Sequence, residues 1–138
     1  MPELLLAVQK LDEGKTVVIF AEGGLRRRED LPLKRFGQGV WHILRERPQT
    51  PVVVCWIEGN WGSFFSFCKG PPLKNKPMDL RRQIDLAIDE PRMVPAEVLA
   101  DCTKTRQYLM EQCSNMRKVM GLEPVPVPIL SPADEEEG

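Results

Sequence analysis

The stretch Val17-Val18-Ile19-Phe20-Ala21-Glu22-Gly23-Gly24-Leu25-Arg26-Arg27-Arg28 runs from consecutive apolar residues, through two glycines, into three arginines. Together with Thr16, its first half reads as a strand over residues 16–20, apolar on successive positions as expected where both faces of a parallel sheet are covered. The Glu22-Gly23-Gly24 turn then lets backbone approach a ligand closely. In parallel α/β sheets, ligands gather at the carboxyl ends of strands, so the glycines and guanidinium groups stand where an anion would sit. A solvated basic turn, balanced by Glu29 and Asp30, fits the same composition and spacing.

Upstream, Leu4, Leu5, Val8 and Leu11 recur at spacings of three and four, which predicts a helix over residues 2–13 stopped by Gly14. Downstream, a charged loop over 26–35 leads to Val40, Trp41 and Leu44, a short helix broken by Pro48. The apolar residues 51–57 follow as a second strand, and strand, helix and strand make a βαβ unit. Residues 58–72 hold Gly59, Gly62, Gly70, Trp61 and three phenylalanines without periodic order, and read as an aromatic loop. Residues 83–88 alternate imperfectly and predict a third strand nearer the sheet edge, closed by Pro91. From Pro95 to Met120, the positions Val98, Cys102, Leu109, Cys113, Met116 and Met120 form one helical stripe, ended by Gly121.

The expected fold is therefore α/β, with about three mainly parallel strands and flanking helices in one domain over residues 1–121. Residues 122–138, with Pro124, Pro126, Pro128 and an acidic run from Asp134 to Glu137, read as a disordered tail. A length of 138 residues with 42% hydrophobic content supports one modest core. A net charge of -1 gives no global field for nucleic acid, so any basic feature is local. Cys55, Cys68, Cys102 and Cys113 lack C-x-x-C spacing and the only histidine is His42, which argues against a zinc site and for buried reduced thiols. On a helix, Cys102 and Cys113 stand about 16 Å apart, too far for a disulfide with each other. No apolar run reaches the ~18 residues of a membrane-spanning helix, and no signal peptide is recognisable, so a cytoplasmic location is expected.

Four segments resemble, in order, the conserved blocks of the glycerophospholipid acyltransferases, the family of lysophosphatidic acid and 2-acylglycerophosphoethanolamine acyltransferases. Phe20-Ala21-Glu22-Gly23 is similar to the F-P-E-G block, with alanine for proline. In the second branch that block continues E-G-x-(I/L)-x-R, which aligns Leu25 and makes Arg27 the matching arginine, with Arg26 and Arg28 as register alternatives. The run Leu33-Lys34-Arg35-Phe36-Gly37-Gln38-Gly39 is similar to the family's basic-aromatic-glycine turn. Thr50-Pro51-Val52-Val53-Val54 resembles its proline-led fourth block. Gly59-Asn60-Trp61-Gly62-Ser63-Phe64-Phe65-Ser66-Phe67 is similar to the D-G-x-W-G-S-x-F-S signature, with Glu58 where aspartate is commoner. The resemblance spans about 120 residues.

The resemblance implies fatty acyl transfer from acyl-ACP or acyl-CoA to a lysophospholipid or glycerophosphate acceptor, at a membrane surface on its cytoplasmic face. Glu22, Gly23 and Arg27 would form the phosphate side of the acceptor site, with Lys34 assisting and no cofactor or metal. The family's general base belongs to an H-x-x-x-x-D block, in which histidine activates the glycerol hydroxyl. His42 does not match it, because Glu46 and Arg47 follow at the fourth and fifth positions. The chain is thus expected to be the C-terminal half of such a domain, incomplete or inactive alone. Two alternatives stand beside it: a non-catalytic module that binds lipid head groups or a membrane surface, and a half-domain completed by a partner chain.

Overall fold

In a computed structural model, which describes residues 2–131 and 133, helix α1 (Pro2–Asp12) closes on a Schellman motif. Gly14 takes φ +75°, its N–H donates to Leu11 O, and the Lys15 N–H donates to Lys10 O, satisfying two terminal carbonyls. The helix rests on α2 (Gly39–Glu46) through Leu4, whose side chain leaves 3.3 Å for a Cβ at Gly39. Arg47 pairs with both carboxylate oxygens of Asp12 at 2.7 Å, an exposed contact that orients α1 and adds little stability.

The sheet differs from the expected one. Its only strands among the described residues, β1 (Cys55–Glu58) and β2 (Asp85–Ile88), are antiparallel, in the register Cys55↔Ile88, Trp56↔Ala87, Ile57↔Leu86. Beyond it, Val52 and Arg92 add one antiparallel bridge. The physical reason lies in the connection. A parallel pair needs a crossover, usually helical, whereas residues 59–84 form an irregular loop that returns the chain in the opposite direction.

Residues 16–20 form no strand at all. Among the described residues, no backbone hydrogen bond is made by Thr16, Val17, Val18 or Ile19, and Val18 and Phe20 are 78% and 77% exposed. An apolar β-branched run favours extended backbone, but only a neighbouring strand makes it sheet, and none flanks this run. Its backbone is tied only at its end, where the Gly23 N–H donates to Phe20 O at 3.0 Å and the Gly37 N–H donates to Ala21 O at 2.8 Å.

The helix expected over residues 95–120 is three elements: α3 (Ala96–Leu99), α4 (Cys102–Asn115) and a 3-10 helix (Met116–Met120). Asp101 makes the break. Its carboxylate accepts from the Lys104 N–H at 2.7 Å as an N-cap, and the buried Thr105 hydroxyl hydrogen-bonds Val98 O and Asp101 O at 2.9 Å each. The expected stripe faces the core: Cys102, Leu109 and Met116 are buried, with Val98, Cys113 and Met120 packed beside them. Against it lie Leu33, Phe36, Leu44, Trp56 and Ala87. The Trp41 indole N–H donates to Leu99 O at 3.0 Å and joins α2 to α3.

Residues 122–131, expected to be disordered, run along α4. Ser114 donates to Val125 O at 2.7 Å, the Leu130 N–H donates to the Gln107 side-chain oxygen, and Leu130 is buried with Val125 and Val127 packed against the core. Three apolar side chains on a stiff Pro-alternating segment suffice because extended Pro-rich chain loses little entropy on docking. The acidic run 134–137 lies outside the described residues. The sheet buries one face only: Trp56 and Ala87 turn inward, while Cys55, Ile57, Leu86 and Ile88 form an exposed apolar outer face. Cys55 is consequently an exposed thiol rather than a buried one.

Candidate phosphate site

Two turns pack together to build the site. The Glu22 carboxylate accepts from the Lys34 N–H at 2.8 Å, and the Gly37–Ala21 hydrogen bond closes the other side. The 33–37 turn is anchored from below by the buried Leu33 and Phe36, and by Arg106 of α4, whose Nε donates to Phe36 O at 2.7 Å. Glu22 therefore shapes the turn through backbone rather than facing solvent alone. Its charge also reaches Cys113, whose thiol is pushed up to about 12, first by burial and then by the Glu22 and Cys55 charges. That thiol is inert near neutral pH.

Lys34 extends its ammonium over the glycine turn. A Cβ placed on Gly24 would come within 3.1 Å of Lys34 Nζ, so a side chain at 24 would crowd the ammonium. Gly23 takes φ +65°, a conformation glycine adopts without penalty.

The three arginines behave differently. Arg26 donates to Arg28 O and Glu29 O and lays its guanidinium 4.1 Å from the centroid of Trp61. Its pKa is lowered, chiefly by burial. Arg28 makes a two-pronged pair with Asp30, which raises the arginine's pKa and lowers the carboxyl's. Arg27 stacks 4.7 Å from the centroid of Phe67, and among the described residues its N–H groups have no hydrogen-bond partner. Glu22, Gly23 and Lys34 thus come together; Arg26 and the exposed Arg28 each spend two nitrogens on local partners, whereas Arg27, also exposed, spends none among the described residues.

The aromatic loop is the partner of Arg26 and Arg27, and two cations hold it. Arg82 donates to Gly59 O and to Trp61 O, the latter at 2.7 Å, and Lys76 donates to Cys68 O, Pro71 O and Gly70 O. Gly59 is required where it stands: φ is +97° and a Cβ would lie 2.5 Å from Gln83 O. Sequence reasoning missed Lys76, Arg82 and Arg106, because a basic residue whose partners are backbone carbonyls carries no pairing signal in sequence. At the loop's root, Glu58 accepts from the Trp56 indole N–H at 2.7 Å and from Arg117 at 3.0 Å, tying β1 to the 3-10 helix.

His42 stands on α2 with its ring 4.9 Å from that of Trp41, and among the described residues no carboxylate pairs with it. No group of three or more His, Cys, Asp or Glu among the described residues could hold a metal, and no helix among them is long and apolar enough to cross a membrane. No protein family, curated protein or solved structure matches this chain.

Proposed function

We propose that this chain is the phosphate-binding part of a glycerophospholipid acyltransferase domain, which grips the acceptor's phosphate but lacks the base that activates the acceptor hydroxyl. Arg27 is the principal ligand, Lys34 the second cation, and the Gly23-Gly24 turn gives the phosphate room to approach. The acceptor is a lysophospholipid or glycerophosphate and the donor acyl-ACP or acyl-CoA. The observation that carries the reading is the unengaged Arg27 guanidinium on Phe67, beside two neighbours that each spend two nitrogens on local partners. A stacked guanidinium keeps its in-plane donors free for a bidentate anion, which is the arrangement phosphate favours.

A second reading, a lipid-head-group module without chemistry, is favoured by the exposed apolar face of Cys55, Ile57, Leu86 and Ile88. Both readings share the phosphate grip, and it is testable. In calorimetry with glycerol 3-phosphate, Arg27→Ala is expected to weaken binding by about 1.5–3 kcal/mol, a charge-assisted hydrogen bond's contribution. Arg81→Ala, an exposed arginine outside the two turns, is expected to leave affinity within error. Equal losses from the two would return the basic segment to a solvated turn.

A further inference from the structure

The loop between β1 and β2 holds an arrangement that its own sequence disfavours. Lys69, Leu73 and Asn75 take φ of +57°, +69° and +58°, left-handed conformations that side chains with a Cβ adopt at a cost. Such residues persist only where surrounding contacts over-determine them. Here the Leu73 N–H donates to Phe64 O at 2.8 Å, the Asn75 side-chain amide donates to Lys69 O at 3.3 Å, and Lys76 holds carbonyls on either side of Lys69. The Lys76 ammonium donates at 2.8 Å to Cys68 O, at 3.1 Å to Pro71 O and at 3.3 Å to Gly70 O, and among the described residues no carboxylate pairs with it. A lysine ammonium has three protons in a compact tripod, and three carbonyls of one turn receive them.

That turn begins immediately after Phe67, whose own carbonyl accepts from the Gly70 N–H at 3.2 Å. Phe67 in turn is the surface on which the Arg27 guanidinium lies. The chain of contact runs from ammonium to carbonyl cage, to the Phe67 ring, to the plane of Arg27. We propose that Lys76 is a positioning residue for Arg27: by holding the turn at Cys68–Pro71 it fixes the Phe67 ring, and so fixes the direction in which Arg27 presents its donors to a phosphate. This rests on the reading of Arg27 as the phosphate ligand. The cage fits an ammonium and not a guanidinium, because a planar fork cannot address three convergent carbonyls at once.

The experiment uses the full chain and two readouts. The first is the ring-current displacement of the Arg27 side-chain proton resonances by Phe67, which needs no ligand. The second is affinity for glycerol 3-phosphate. Lys76→Met, which keeps the aliphatic stem, is expected to abolish the displacement and to weaken affinity about three- to fivefold, the loss of one oriented cation–π contact. Lys76→Arg is expected to behave like Lys76→Met. Lys69→Met removes the same charge from the same loop and is expected to change neither readout. In Lys76→Ala, added methylammonium is expected to restore both by reoccupying the cage. An unchanged ring-current displacement in Lys76→Met would overturn the inference, as would an equal effect from Lys69→Met. If Arg27→Ala leaves phosphate affinity intact, the phosphate reading falls, while the ring-current arm still decides whether Lys76 positions Arg27.

Discussion

With acyl-CoA and a lysophospholipid, the purified chain is expected to give no turnover above the uncatalysed rate. Acyl transfer to a glycerol hydroxyl needs a base that removes its proton as the thioester is attacked, and general-base assistance contributes roughly 10²–10⁴ in rate. The only histidine is His42. It sits on α2 against Trp41, and among the described residues no carboxylate orients its ring. An imidazole without such a partner is not oriented to take a proton from a bound hydroxyl. Binding without turnover is the expected behaviour, read by thioester consumption. Robust turnover abolished by His42→Ala would contradict it and would make His42 the base.

The two faces of β1 are expected to respond oppositely to substitution. Trp56 is buried, donates its indole N–H to Glu58, and lies under the Arg117 guanidinium at 5.7 Å. Trp56→Ala removes the largest core side chain of the sheet and leaves the Glu58–Arg117 pair without its floor, an expected loss of about 3–5 kcal/mol. In a domain of this size that is a large part of the total stability. Its neighbour Ile57 is 43% exposed on the outer face, so Ile57→Thr is expected to stay within about 0.5 kcal/mol. Urea denaturation of both variants checks the pair. A comparable loss at Ile57 would show that the outer face is covered in solution.

Local signals were legible where the contacts that satisfy them are also local. Leu4, Val8, Leu11 and Gly14 predict α1 and its stop because a helix closes its own hydrogen bonds. The break at Asp101 was equally available, as an N-cap aspartate three residues before the N–H it accepts, but the longer apolar stripe from Val98 to Met120 overrode it. Residues 16–20 show the opposite case. Their composition is that of a buried strand, yet strand pairing is decided by distant chain, and β1 pairs instead with β2. Composition alone likewise does not disclose that Val125, Val127 and Leu130 pack against the core.

The meeting of the two turns was legible in outline. Glu22, Gly23 and Lys34 meet because their turns are near neighbours in sequence, and the three arginines were confined to one turn. What separated Arg27 from Arg26 and Arg28 was not legible from spacing alone. It depends on Asp30 capturing Arg28, on Trp61 and two carbonyls capturing Arg26, and on Phe67 lying under Arg27. The aromatic loop was recognised, but its partners were not: Arg26 and Arg27 lie in an earlier turn, and Lys76 and Arg82 of the same connection bind it through backbone carbonyls.

The most direct measurement of the central claim is a glycerol 3-phosphate titration followed at individual backbone amides. The account predicts saturable, concerted shifts at Gly23, Gly24 and Arg27, with Lys34 following, and their loss in Arg27→Ala. Shifts scattered over exposed basic residues such as Arg81 and Lys118, with Gly23 and Gly24 unmoved, would contradict it.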